Sequence, residues 1–143
     1  MSKFTADRLK DSLIFIAWVG GLLCIGGLCW FLSKPLRVEQ LRQSVNRGWI
    51  ETGYNYRLDA PVLPQALNSG QARLGTWYNM SGGNRALIFT LIGDGVFLPC
   101  AAIVNSGGKV IEILALGNDG EKLLGNISPG IMKLYIRRIE GET

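Results

Sequence analysis

The sequence predicts a membrane-anchored protein with one N-terminal transmembrane helix, a short juxtamembrane amphipathic helix and a small, mainly antiparallel β (α+β) domain. An apolar run near the N-terminus is long enough to span a bilayer, a short amphipathic segment follows it, and β-branched runs separated by glycine turns come after that. The predicted parts are a tail at 1–12, the span at 13–32, the juxtamembrane helix or linker at 33–48 and the outer domain at 49–143.

The predicted span, Leu13–Leu32, contains no formally charged residue. At about 1.5 Å per residue, a helix of this length crosses the roughly 30 Å hydrocarbon core of a bilayer. A cleaved secretory signal is the alternative. The run is longer than a signal core of roughly 7–15 residues, no small-x-small cleavage site follows it, and Ser33-Lys34-Pro35 comes directly after it. The sequence therefore favours an uncleaved signal anchor.

Small side chains concentrate on one side of the predicted span. At 100° per residue, five of them fall within an arc of about 120°, here called the small-residue face: Ala17, Gly20, Gly21, Cys24 and Gly27. In lipid, helices associate through close packing over small residues. We predict that this face is a helix–helix interface with an integral membrane protein partner. The alternative is that glycine is simply common in membrane spans.

The net charge lies beside the span. Residues 1–48 carry seven Lys or Arg and three Asp or Glu, which gives +4, whereas residues 49–143 carry eight of each. We expect contacts with lipid headgroups and no nucleic-acid binding, because a nucleic-acid domain needs its own basic face. The predicted headgroup or interface residues are Trp30, Lys34, Arg37, Arg42, Arg47 and Trp49.

Basic residues also predict the orientation of the chain. The tail carries Lys3, Arg8 and Lys10. Short tails obey the positive-inside rule, whereas long domains are translocated largely regardless of charge. The sequence therefore predicts a cytoplasmic N-terminus and a periplasmic or extracytoplasmic domain, in a bacterial-type inner (cytoplasmic) membrane.

After Pro35, the sequence has the period of a short amphipathic helix. Val38, Leu41 and Val45 form one apolar stripe. Such a stripe fits a helix lying along headgroups and equally one packed on the chain's own domain, so both interpretations stay open. Because glycine commonly follows the last helical turn, this helix is predicted to stop at Gly48.

Three apolar runs of the outer domain predict an antiparallel meander, because glycine turns between β-branched runs are a strong hairpin signal. The predicted strands are Arg85–Ile92, Val96–Val104 and Lys109–Leu116. Pro99 cannot donate to a ladder, so its strand is predicted to lie at an edge or to be bulged there. Weaker patterns predict strands at Trp49–Tyr56 and Arg73–Tyr78, and a helical turn at Glu121–Asn126.

Residues Ile131–Ile139 alternate and are predicted to form the last strand, with one apolar and one mixed face. Within it, Lys133, Arg137 and Arg138 form a basic group. Two interpretations fit them, an acidic protein partner or a solvated strand face. A protein contact through this C-terminal domain is therefore one expectation.

The composition argues against several classes of chemistry. The chain has no histidine, which excludes histidine general bases, nucleophile–histidine pairs and histidine metal sites. Cys24 and Cys29 lie in the span and Cys100 in a strand, so they form no CxxC site. Asp94 and Asp119 lie in glycine-flanked turns, the ordinary place for aspartate. The sequence therefore predicts a non-enzymatic protein with no catalytic residue, metal or cofactor.

The layout resembles that of type IV pilins and pseudopilins, in which an apolar helix runs into an amphipathic one and then into an antiparallel sheet. Those proteins carry a leader that ends in glycine, and a glutamate five residues into the mature chain. Here the first glycine, Gly20, is inside the span, and Leu13–Ala17 contains no glutamate. The peptidoglycan-side subunits of ion-driven stators also resemble it, but they place an aspartate within the span, whereas Asp11 precedes it.

The predicted function is that of an accessory, assembly or scaffold subunit of a larger membrane complex, acting through its transmembrane helix and outer domain. A pilin-like or pseudopilin-like filament subunit is the alternative, and a membrane-anchored enzyme is the third hypothesis.

Overall fold

The computed structural model describes residues 3–141, and their side chains from Lys10 onward. The helices are α1 (Lys3–Thr52), α2 (Ser69–Leu74), α3 (Gly120–Gly125) and α4 (Pro129–Glu140). The strands are β1 (Leu58–Pro61), β2 (Thr76–Met80), β3 (Arg85–Gly93), β4 (Val96–Val104) and β5 (Val110–Ala115). The strands form one antiparallel sheet in the order β1-β2-β3-β4-β5. The chain divides into two compact units, Met1–Glu39 and Gln40–Thr143.

Helix α1 is longer than either helix that the sequence predicts. It continues through Pro35, although proline removes one intrahelical hydrogen bond, and through Gly48, where the predicted helix stops. It ends at Gly53, whose φ of 81° is left-handed. There Gly53 N donates to Ile50 O at 3.2 Å and Tyr54 N donates to Trp49 O at 2.9 Å, which is a Schellman motif. The prediction of a separate juxtamembrane helix is therefore wrong, because one continuous helix covers these residues.

The predicted meander is confirmed as β3, β4 and β5. Strands β3 and β4 pair without interruption from Arg85 and Val104 to Gly93 and Val96. Asp94 and Gly95 join them with φ values of 50° and 76°. Positive φ at both central residues is the signature of a type I′ turn, whose twist matches that of the strands.

Pro99 lies in a central strand, with neither the edge position nor the bulge that the sequence predicts. It pairs with Thr90 inside the unbroken β3–β4 ladder. The carbonyl oxygen of Pro99 faces the end of β5 and accepts a hydrogen bond from Leu116 N at 2.8 Å. In the β4–β5 register Leu116 lies opposite Pro99, and the reciprocal bond of this pair is missing because proline has no amide hydrogen. The regular pairing with β5 therefore begins one residue later, at Cys100 and Ala115.

The weaker strand predictions are wrong in part. Residues 49–52 belong to α1, and the first strand starts only at Leu58. The predicted strand from Arg73 overlaps α2, which ends at Leu74, and β2 then begins at Thr76. Asn68 caps α2, since its Oδ1 accepts a hydrogen bond from Gln71 N at 2.7 Å. The predicted helical turn near residue 121 is confirmed as α3.

The predicted last strand is wrong, because residues 129–140 form helix α4. Pro129 occupies the first turn after Ser128, and Gly141, with a φ of 77°, ends the helix in the left-handed conformation. Ile131 and Ile139 share one side in a strand and also in a helix, because their spacing suits both periods. The flanking Ser-Pro and glycine were the signals that favour a helix.

The sheet has a buried cluster on one face. It is closed by Ile127, after α3, and by Ile139 of α4, and Phe89 packs against Tyr135 with ring centroids 5.6 Å apart. The sheet residues of this cluster are Trp77, Leu87, Phe89, Leu91, Leu98, Cys100, Ala102 and Val104.

Alternation along the strands places other buried residues, including Tyr78, Ala86 and Ile103, on the opposite face. Val45 and Trp49 of α1 are buried as well, with 6% and 2% of their surface exposed. This end of α1 therefore packs on the chain's own domain. For Val45, this burial favours packing on that domain over a position along the lipid headgroups.

Candidate functional site

Helix α1 carries the apolar segment that could cross a membrane. Among the residues that the structure describes it is the one helix long and apolar enough to do so, with a mean hydropathy of 2.2 in its most apolar window and no residue of that window buried. Length and composition fit a membrane span or a signal anchor alike. Its large side chains are exposed, among them Phe15, Trp18, Leu23 and Phe31.

The small-residue face is open in this structure. A Cβ built on Gly20, Gly21 or Gly27 would meet no heavy atom within 4 Å. Cys24, on the same face, is an exposed free thiol. Among the side chains described from Lys10 to Glu39, none fills the space beside these glycines. The predicted helix–helix contact stays a prediction.

The first half of the predicted headgroup set forms a small polar network after the apolar segment. The Nζ atom of Lys34 lies 4.1 Å from the centroid of the Trp30 ring, which is a cation–π contact. Arg37 Nη2 donates to Ser33 Oγ at 2.9 Å, and that hydroxyl donates to Trp30 O at 2.9 Å. Lys34 and Arg37 are exposed, so their charges are accessible to an anionic surface.

The second half of the headgroup set behaves differently. Arg42 Nη1 donates to Leu58 O at 3.4 Å, so this guanidinium is tied to β1. Trp49 is buried, and its ring meets that of Tyr56 edge-on with centroids 5.8 Å apart. This burial leaves the Trp49 ring no surface for lipid. Arg47 is exposed, and its headgroup contact stays a prediction.

Asn46 fastens the end of α1 to the sheet. Its Oδ1 accepts a hydrogen bond from Leu58 N at 2.7 Å, and its Nδ2 donates to Leu58 O at 3.0 Å. One amide side chain thus satisfies both backbone groups of an edge-strand residue whose side chain is fully buried. Asn46 has no signal in the sequence, because this contact joins residues 12 positions apart in two different elements.

Reactive side chains are scarce in the described part of the chain. Residues 10–141 bring together no group of three or more His, Cys, Asp or Glu side chains that could hold a metal ion. Burial raises the pKa of the Cys100 thiol to about 11, which keeps it protonated and unreactive at neutral pH. Asp94, in the β3–β4 turn, accepts a hydrogen bond from Ser128 N at 2.9 Å and so holds the start of α4.

Two tyrosines and two glutamates form a surface cluster that the sequence does not reveal, here called the acidic aromatic patch. Tyr54 OH donates to Glu121 Oε1 at 2.6 Å, and Tyr56 OH donates to Glu112 Oε2 at 3.0 Å. The two rings stack with centroids 6.4 Å apart and an interplanar angle of 22°. These hydrogen bonds are the largest cause of the raised pKa of both phenols. Neither carboxylate forms an ion pair in the described chain.

A groove between α2 and α4 gathers three arginines, and we call it the arginine groove. It has a volume of about 830 Å³ and is lined by Leu74 and Leu134 and by the side chains of Arg73, Arg137 and Arg138. Leu134 is 49% exposed. The three arginines are exposed and make no side-chain hydrogen bond or ion pair within residues 10–141. The sequence grouped Arg137 and Arg138 but could not join Arg73 to them.

Comparisons with known proteins supply no family for this chain. No protein-family model, no curated protein and no solved structure matches it.

Proposed function

We propose that this protein is a non-enzymatic, single-span membrane protein that serves as an accessory, assembly or scaffold subunit of a larger membrane complex. The small-residue face of α1 would bind a transmembrane helix of the partner, and the outer domain would contact the same partner outside the bilayer. The observation that carries the proposal is the open notch at Gly20, Gly21 and Gly27, where a second backbone can approach without a clash.

The proposed location is a bacterial-type inner membrane, with the N-terminus in the cytoplasm and the domain on the periplasmic side. The basic tail favours this orientation by the positive-inside rule. The exposed charges of Lys34 and Arg37, next to Trp30, suit the headgroup layer on the opposite side.

The helix contact can be tested with matched glycine variants. Gly20→Leu or Gly21→Leu places a large side chain on the small-residue face, so partner recovery in a mild-detergent pull-down should fall by at least about tenfold, a loss of about 1.4 kcal/mol. Gly26→Leu is the control, because Gly26 lies on the opposite side of the helix and is equally open. Equal recovery from all three variants would refute the docking face.

A pilin-like filament subunit is the second candidate. It is favoured by one observation, that a single 50-residue helix contains both the apolar segment and the segment that packs on the antiparallel sheet. The two hypotheses differ in processing. An intact mass that corresponds to cleavage near residue 12 would support the pilin-like subunit and refute the scaffold, whereas the mass of the uncleaved chain would do the opposite. Hydrolase activity lost on replacing one carboxylate would refute both.

A further inference from the structure

We infer that the arginine groove of one copy of this protein binds the acidic aromatic patch of a second copy. Both surfaces belong to the unit that starts at Gln40, and they share no residue. The inference does not depend on the transmembrane partner proposed above.

Charge segregation is the first argument. Residues 49–143 carry eight basic and eight acidic residues, so this part of the chain has no net charge. Within it, three arginines gather at the arginine groove, whereas the carboxylates of Glu112 and Glu121 lie at the acidic aromatic patch. Each surface is therefore complementary to a surface that every other copy presents.

The chemistry of the two patches is the second argument. A guanidinium is planar, stacks on aromatic rings and pairs with a carboxylate through two parallel hydrogen bonds. The acidic aromatic patch offers both features, since Tyr54 and Tyr56 are stacked rings and each phenol occupies one oxygen of its glutamate. The other carboxylate oxygen of Glu112 and of Glu121 has no hydrogen-bond partner in the described chain.

The apolar lining of the groove is the third argument. Leu74 and Leu134 lie among the arginines, so an occupant has to cover apolar surface as well as supply negative charge. The tyrosine rings of a second copy meet both needs, because they bury apolar area beside the carboxylates. Since the two surfaces differ, the contact is heterologous, and it generates rings or open chains of subunits.

The test uses the full-length chain in a mild detergent, with molar mass measured by light scattering over a concentration series. At about 10 mM salt the wild type should self-associate, and at about 1 M salt the apparent dissociation constant should rise at least about tenfold, because screening lengths fall from roughly 30 Å to 3 Å. R137E/R138E should raise the constant at low salt by about tenfold or more. K133E is the control, because exposed Lys133 lies on α4 outside the groove, and it should change the constant less than about twofold.

A charge exchange completes the test. E112R/E121R should also fail to self-associate, and mixing it with R137E/R138E should restore mixed oligomers. If the unfolding temperature of E112R/E121R is lower than that of the wild type, the self-association experiment is done with E112Q/E121Q instead. Glutamine keeps the shape of glutamate, and its side-chain oxygen still accepts a hydrogen bond from the tyrosine hydroxyl. The Gly20→Leu chain should associate like the wild type, which separates this contact from the small-residue face. A monomeric wild type at low salt, or an unchanged mass for R137E/R138E, would overturn the inference.

Discussion

Trp30 and Trp49 belong to the same helix and yet have opposite environments. Trp30 is 55% exposed, with Lys34 over its ring, whereas Trp49 is 2% exposed and packs against Tyr56. The polar groups around Trp30 are the side chains of Ser33, Lys34 and Arg37, which belong to the same helix. The chain around Trp49 supplies Asn46, which binds the sheet edge. Burial of a tryptophan of α1 thus depends on whether its part of the helix is joined to the sheet.

The largest expected effect comes from truncating Trp49, and the same truncation of Trp30 is its matched comparison. Trp49→Ala removes a buried ring from the domain and should lower the free energy of unfolding by about 3–5 kcal/mol. Trp30→Ala should change it by less than about 0.5 kcal/mol, because the ring is exposed. Denaturant unfolding of the full chain in detergent, followed by far-UV circular dichroism, measures both. Equal losses of unfolding free energy in the two variants would contradict the difference in burial between Trp49 and Trp30.

The same substitution in the two halves of α1 tests the membrane span. Leu22→Arg places a charge near the centre of the predicted span and should cost about 2.5–3.5 kcal/mol of insertion free energy. Ile50→Arg, at a 76% exposed position of the folded unit, should leave insertion unchanged. The membrane fraction that resists alkaline extraction reports the difference. Full retention of the Leu22→Arg chain would argue against the span.

Removing the amide that joins helix to sheet has a smaller expected effect. Asn46→Ala leaves Leu58 N without its side-chain partner and Leu58 O with only the 3.4 Å bond from Arg42, and should lower the free energy of unfolding by about 1–3 kcal/mol. Arg47→Ala, at the next and exposed position, is the control and should stay within about 0.5 kcal/mol. The same unfolding curves measure both variants. A loss in Arg47→Ala as large as in Asn46→Ala would show that the amide has no special role.

The smallest expected effect is a pH dependence at Glu140. Its carboxylate accepts hydrogen bonds from Val110 N and from Lys109 Nζ, both at 3.0 Å, and these lower its pKa below the ordinary 4.5. A carboxyl whose pKa is lower in the folded chain stabilises the fold above pH 4.5, and this contribution is lost as pH falls below that value. Glu140→Gln should flatten the acid side of the stability profile. A wild-type profile that matches the variant would exclude the contribution.

Local sequence signals predicted the centre of the sheet well. The β3–β4 hairpin follows from Asp94-Gly95, because these two residues accept the positive φ that a tight turn requires. The same kind of signal failed for Ile131–Ile139, where the apolar spacing fits both a strand and a helix. Packing of Ile139 in the core and the αL glycine at 141 decide for the helix.

The candidate sites also differ in how far apart their residues lie in the sequence. The small-residue face could be predicted because its members are three or four residues apart on one helix. The acidic aromatic patch could not, because Tyr54 and Glu121 are 67 positions apart and meet only through the fold. The arginine groove was half predicted, since Arg137 and Arg138 are adjacent and Arg73 comes from α2.

The sequence by itself determined the apolar helix, its charged flanks and the turns of the meander, because each depends on residues within a few positions of one another. Only the tertiary structure showed that α1 continues through Pro35 to Thr52 and that Trp49 is buried. It also decided for a helix over residues 129–140, where the local signals of the sequence fit both a strand and a helix. Trp49 and Ile139 are buried by elements that lie far away in the sequence, and such burial outweighs a local preference of about 1 kcal/mol. At Pro35, which is exposed, the helix continues with the loss of one internal hydrogen bond.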